Sequence, residues 1–184
     1  MTYTHLVFFL VNGDWDENEL IDLKQKTVSE FLFGLQTTEK TIKQFDVVDG
    51  IIICKSNEIQ QVLKMFETAF CLASIGVNYV GIDYDDLRDT LSLKKPAKFI
   101  QSSAVSLSEL DIALSRIVSQ ISKEISIKSF IFNFEGIRHP SFEEWDKITV
   151  PIEDKVLDEK NLFFNAEIAD KQDRCWMGVI YVAS

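Results

Sequence analysis

The sequence predicts an α/β protein: a short parallel βαβ unit and a central helix packed on a C-terminal α+β lobe whose sheet is mixed and mostly four-stranded. Three observations predict it. Apolar runs alternate with amphipathic stretches from residue 5 to about 74, and a second series of strand and helix patterns follows Pro96. Seven glycines and three prolines in 184 residues leave no flexible linker between the two series. Residues 1–75 are expected to form the βαβ unit with its helix, and residues 76–184 the α+β lobe.

His5 to Val11 is an apolar, aromatic run closed by Asn12-Gly13-Asp14, the pattern of a strand buried on both faces. Asp16 with Glu19 has capping-box spacing, and Leu20, Leu23, Val28, Phe31, Leu32 and Leu35 continue at helical intervals. Together they predict one amphipathic helix. Val47 to Cys54 reads as the second strand. Ser56 or Asn57 is expected to cap a helix carrying Ile59, Val62, Leu63 and Phe66. In IDYDDLRDTL, Asp83 or Asp85 can cap a short helix ending near Leu93.

The second series starts with a strand at 97–105, then a helix opened by Ser106 and Glu109. Ile127 to Phe134 is a strand on which Phe130, Phe132 and Phe134 share a face, while Asn133 and Glu135 interrupt the other. Ser141 with Glu144 starts a helix expected to stop before Pro151. Leu162 to Ile168 and Cys175 to Val182 are strands joined by a polar turn, which predicts a closing antiparallel hairpin.

Composition excludes several classes of function. Hydrophobic residues make up 46% and charged residues 26%, a globular balance. With 19 basic against 29 acidic side chains the net charge is -10, which repels nucleic acid and anionic lipid, so neither is an expected partner. The apolar run near the N-terminus is six residues, against about 20 for a membrane span. Three scattered cysteines make no disulfide framework or metal set, which points to a reducing, cytoplasmic setting.

No glycine-rich phosphate loop of either common spacing is present, so no cofactor is expected. The two histidines, His5 and His139, lie in different parts of the chain, and neither neighbours a nucleophile. Glu143, Glu144 and Asp146 read as solvated surface, while Trp145 and Trp176 suit a core or an interface. The defined polar cluster is Asp83, Asp85, Asp86 and Asp89 with Arg88. Asp83 and Asp86, three apart, share a helical face and can address one water or metal-bound phosphate. They can equally serve as helix-terminus caps, for which acids in a first turn are favoured by about 0.3–1 kcal/mol each.

Several strings, taken in order, resemble the tubulin/FtsZ superfamily beyond its glycine-rich nucleotide loop. VVDGIIICKSNE is similar to the strand and loop before the family's central helix, KMFETAF to the helix start, and GIDYDDLRDTL to the synergy loop that follows. The tail from Asp158 to Ser184 is similar to the family's closing strands. The resemblance implies that Asp83 and Asp86 stand where synergy-loop acids reach the nucleotide pocket of the next filament subunit. Gly81 replaces the family's usual Asn, and the family's glycine loop is missing.

The resemblance therefore implies a non-catalytic module that docks on or caps a filament-forming subunit through Gly81, Asp83, Asp86 and Arg88, with self-association left open. Two alternatives remain: a stand-alone α/β scaffold unrelated to filaments, or a half-enzyme whose Asp83 and Asp86 complete a GTPase site in trans.

Overall fold

The computed structural model describes residues 6–11, 13, 15–37, 45–71, 90–91, 95–104, 106, 109–121, 126–136, 138, 140–153, 162–168 and 175–184. In chain order its elements are β1 (Leu6–Leu10), α1 (Glu17–Thr27), β2 (Phe31–Gln36), β3 (Gly50–Ile53), a 3₁₀ turn (Ser56–Glu58) and α2 (Ile59–Cys71). After these come β4 (Ala97–Ala104), α3 (Leu110–Gln120), β5 (Ile127–Gly136), α4 (Phe142–Glu153), β6 (Leu162–Ile168) and β7 (Cys175–Ala183).

All seven strands join one sheet in the order β1-β2-β3-β4-β7-β5-β6. The first four run parallel, β7 is antiparallel to both β4 and β5, and β6 is parallel to β5. The expected mixed four-stranded sheet is thus β4-β7-β5-β6, continuous with the parallel part. The seam is short: β3 meets β4 through Ile52 with Ala97 and Ile53 with Lys98.

Register explains how so short a seam holds. Leu35, Ile52 and Ala97 are successive partners, as are Phe99, Ile180 and Ile131, and all six lie in one core beneath Val62, Met65 and Phe66 of α2. One helix therefore covers both halves of the sheet on this face. The other face carries α1 over Phe9 and Leu32, and α3 and α4 over Phe130, Phe132 and Phe134. Helices on both faces bury most of the central strands, so β2 and β7 carry apolar residues on both sides.

Four sequence expectations change. The helix predicted from Asp16 to Leu35 ends at Thr27, and Phe31 to Gln36 forms β2. At the break Val28 takes φ 50° and ψ 38°, and the amide of Ser29 reaches back to the carbonyl of Lys24 at 3.2 Å. That is a helix-ending loop in which valine occupies the left-handed position that glycine adopts without strain. The closing hairpin is also absent: β5 lies between β6 and β7. β7 is apolar on both faces, with Val179 and Tyr181 in one core and Ile180 and Val182 in the other, so it belongs inside the sheet.

The third change is at α4, which continues through Pro151 to Glu153. Proline removes one amide donor, but Ile148 and Ile152, both fully buried, hold the turn on either side of it. The fourth is the α2 entrance. Neither Ser56 nor Asn57 caps it; the carboxylate of Glu58 instead accepts the Lys55 amide at 2.9 Å.

Candidate interaction site

The expected site residues Gly81, Asp83, Asp86 and Arg88 lie outside the described residues, as do Asp85, Asp89, His5 and His139. Their flanks are described. α2 carries the chain to Cys71, and Thr90 and Leu91 resume it as buried helical residues. Leu91 belongs to the core under α2, and its carbonyl oxygen lies 2.6 Å from where a Cβ on Gly50 would stand. Glycine at position 50 thus lets the chain leaving the acidic segment press against the start of β3.

In an open α/β sheet, ligands gather at the carboxyl ends of the parallel strands, where helix N-termini present free amides and a positive dipole end. Here the two helices that follow β1 and β3 begin on carboxylates of the chain itself. At α1, Asp16 Oδ1 accepts the Glu19 amide at 2.9 Å and Glu19 Oε2 accepts the Asp16 amide at 3.0 Å. Glu17 Oε1 also accepts the Val47 amide at 2.8 Å, tying the helix start to the loop before β3. At the second entrance the buried Glu58 accepts the Lys55 amide, and Lys55 Nζ stands 3.5 Å from its other oxygen. A phosphate arriving at either terminus meets a carboxylate of the chain, and at α1 the Glu19 amide is already bonded.

The same carboxylate shapes a thiol nearby. Burial, and then the charge of Glu58, push the Cys54 thiol up to about 11, so it stays protonated at neutral pH. Glu58→Gln is expected to lower that pKa while leaving it above the ordinary value of about 8.5, since burial is the larger cause. The pH dependence of Cys54 alkylation measures it, with Cys71 and Cys175 replaced by serine. An unchanged pKa would remove Glu58 from the account.

A second polar group lies on the α2 face of the mixed half. Glu135 pairs with Lys64 of α2, and the indole N–H of Trp176 donates to Gln101 Oε1 at 2.8 Å. Asn133, buried on the same face of β5, lies opposite Gly178 in register. One of the strand's polar interruptions legible in the sequence, Glu135, thus fastens α2 to the sheet. Because Phe66 of that helix packs on Phe8 and Phe33, α2 bridges the two sub-sheets mechanically.

Glu144 is partnered rather than merely solvated. Arg138 grips it with two bonds of 2.8 and 2.9 Å, and the Ser141 amide adds a third at 2.8 Å, so its carboxyl is held down to about 2. Trp145 packs edge-on against Phe164 as part of the core. Among the described residues no cluster of three His, Cys, Asp or Glu could hold a metal ion, and no helix is long and apolar enough to cross a membrane.

A partial parallel βαβ sheet, one helix bridging it to a mixed four-stranded sheet, and two helices backing that sheet define a tubulin/FtsZ-like fold. Among solved structures, an FtsZ point mutant from M. jannaschii superposes with a TM-score of 0.61 at 9% identity, covering 96% of this chain and 64% of that one. An empty FtsZ dimer from the same source gives 0.60 at 9% identity, covering 97% and 62%. The GDP-bound CetZ1 monomer from Haloferax volcanii gives 0.58 at 10% identity, covering 96% and 63%. This chain thus spans less than two thirds of their length. No protein-family model matches the sequence, and no curated protein does.

Proposed function

We propose that this chain is a tubulin/FtsZ-like interaction module that docks on or caps filament subunits through Gly81, Asp83, Asp86 and Arg88, without turnover of its own. The observation that carries the reading is the pair of helix entrances after β1 and β3, each occupied by a carboxylate of the chain itself. Such entrances disfavour a triphosphate, and the tubulin/FtsZ-like fold supports a filament-related role. In this reading residues 1–75 are a partial nucleotide-lobe-like unit with its central helix, and residues 76–184 form the lobe that meets the partner. A dimer among the similar structures fits either self-association or a filament-forming partner.

The test mixes the chain with a polymerising FtsZ and follows pelleted polymer and GTP hydrolysis. The chain is expected to reduce both at substoichiometric ratios, and Asp83→Ala with Asp86→Ala to weaken the effect about tenfold, or roughly 1.4 kcal/mol of docking energy. No change in either readout with the unsubstituted chain overturns the proposal. A gain of GTP hydrolysis that the double substitution abolishes, with binding kept, would overturn it in favour of a half-enzyme. A double substitution that lowers the melting temperature and leaves the polymer effect intact would make those acids helix caps.

A further inference from the structure

A groove of about 1010 Å³ lies between α3 and α4, on the sheet face opposite α2. Its floor is apolar: Leu114 and Val118, one helical turn apart on α3, face Val150 and Pro151 of α4. Leu114 belongs to the core, but Val150 is 52% exposed and Val118 half-buried, so the apolar stripe rises out of the core into solvent. The two helices have already spent their inner faces on the sheet, through Ala113 and Ile117 of α3 and Ile148 and Ile152 of α4. What remains between them is an apolar trough open to solvent, of the kind into which an amphipathic helix lays its apolar face.

The rim states the charge of the occupant. Asp111 on α3 and Glu143 and Asp146 on α4 are exposed, against a single Lys147, and none of these three acids holds an ion pair among the described residues. Glu144, next in sequence, is turned aside onto Arg138. The geometry points to this groove as the docking site for a basic amphipathic helix of another protein, its apolar stripe on Val118 and Val150 and its Lys or Arg residues over Asp111, Glu143 and Asp146. A second copy of this chain is a poor occupant, since it brings the same acidic rim and a net charge of -10. Anionic lipid is repelled for the same reason. None of the groove residues belongs to the segment on which the filament reading rests, so the assignment stands or falls independently of that reading.

The experiment uses the full chain and three labelled synthetic peptides of about 14 residues. The first has Leu at i, i+3, i+4 and i+7 with Lys between, the second has Glu for Lys, and the third scrambles the first. Fluorescence anisotropy is expected to show the basic amphipathic peptide binding at least about tenfold more tightly than either control, and more weakly as salt rises from roughly 0.1 to 0.5 M. Val150→Glu, and separately Asp111→Lys with Asp146→Lys, are expected to weaken it about tenfold, each with an unchanged circular dichroism spectrum. Asp22→Lys on α1, distant from the groove, is expected to leave the affinity within about twofold. Equal binding of the scrambled peptide, or equal weakening by Asp22→Lys, would reduce the effect to net charge and overturn the assignment. So would a dimer, seen by sedimentation of the chain alone, that Val150→Glu dissolves.

Discussion

Phe132→Ala is expected to lower the unfolding free energy by about 3–5 kcal/mol, the range for emptying a fully buried aromatic site. Phe132 has no solvent exposure and its ring stacks on Phe130 at 6.4 Å, with Phe164 of β6 5.8 Å away. Removing it unseats two ring contacts and leaves a void that α3 and α4 cannot close, because Ile117, Ile148 and Ile152 are already fixed against neighbouring strands. For a chain of this size the loss corresponds to a melting temperature lower by about 6–20 °C. Phe142→Ala is the matched control. That ring is 90% exposed at the first residue of α4, and its loss should change stability by less than about 0.5 kcal/mol. Urea unfolding of the two variants decides the matter: near-equal destabilisation would mean that the alternation on β5 does not set the core.

That contrast was legible in the sequence because β5 obeys a two-residue period. Phe130, Phe132 and Phe134 alternate with Ile131, Asn133 and Glu135, which marks the all-aromatic face, although the other face is buried under α2 as well. Both capping boxes were legible too, since Asp16 with Glu19 and Ser141 with Glu144 act within one turn. β2 was not. A strand buried on both faces has no period of two, and Phe31, Leu32 and Leu35 then mimic a continuing helix. The break rests on Thr27-Val28-Ser29, where a left-handed valine stands in for the expected glycine signal. The place of β7 was hidden for a related reason. Chain order puts it beside β6, but only long-range pairing with β4 and β5 moves it to the middle.

The candidate site divides in the same way. Asp83 and Asp86 were singled out by composition and by resemblance, and the acid-capped entrance of α1 by its own spacing. Lys64 with Glu135, Gln101 with Trp176, and the groove between α3 and α4 each join residues far apart in sequence. No local pattern announces such pairs. The signal that could have found the first is the charged Glu135 near the end of a strand whose face it shares with the apolar Ile131, which demands a cation from whatever element covers that face.

Gly178→Val is expected to cost about 3 kcal/mol, the upper part of the range for overpacking a filled core. A Cβ at this position would lie 2.4 Å from Trp176 Cη2 and 2.8 Å from Met65 Sδ. The indole cannot step aside cheaply, since its N–H is bonded to Gln101 and its ring is wedged between β7 and α2. Met65 is itself buried, so its side chain must repack or α2 must shift to admit the added methyls. A cycle with Trp176→Ala isolates this cause. If the clash is with the indole, Gly178→Val should cost at least about 1 kcal/mol less in the Trp176→Ala background, because the space is already cleared. Additive losses would place the strain elsewhere on β7. Hydrogen exchange supplies the second readout: α2 amides should lose protection before those of β5, as expected when the helix bridging the two sub-sheets is loosened first.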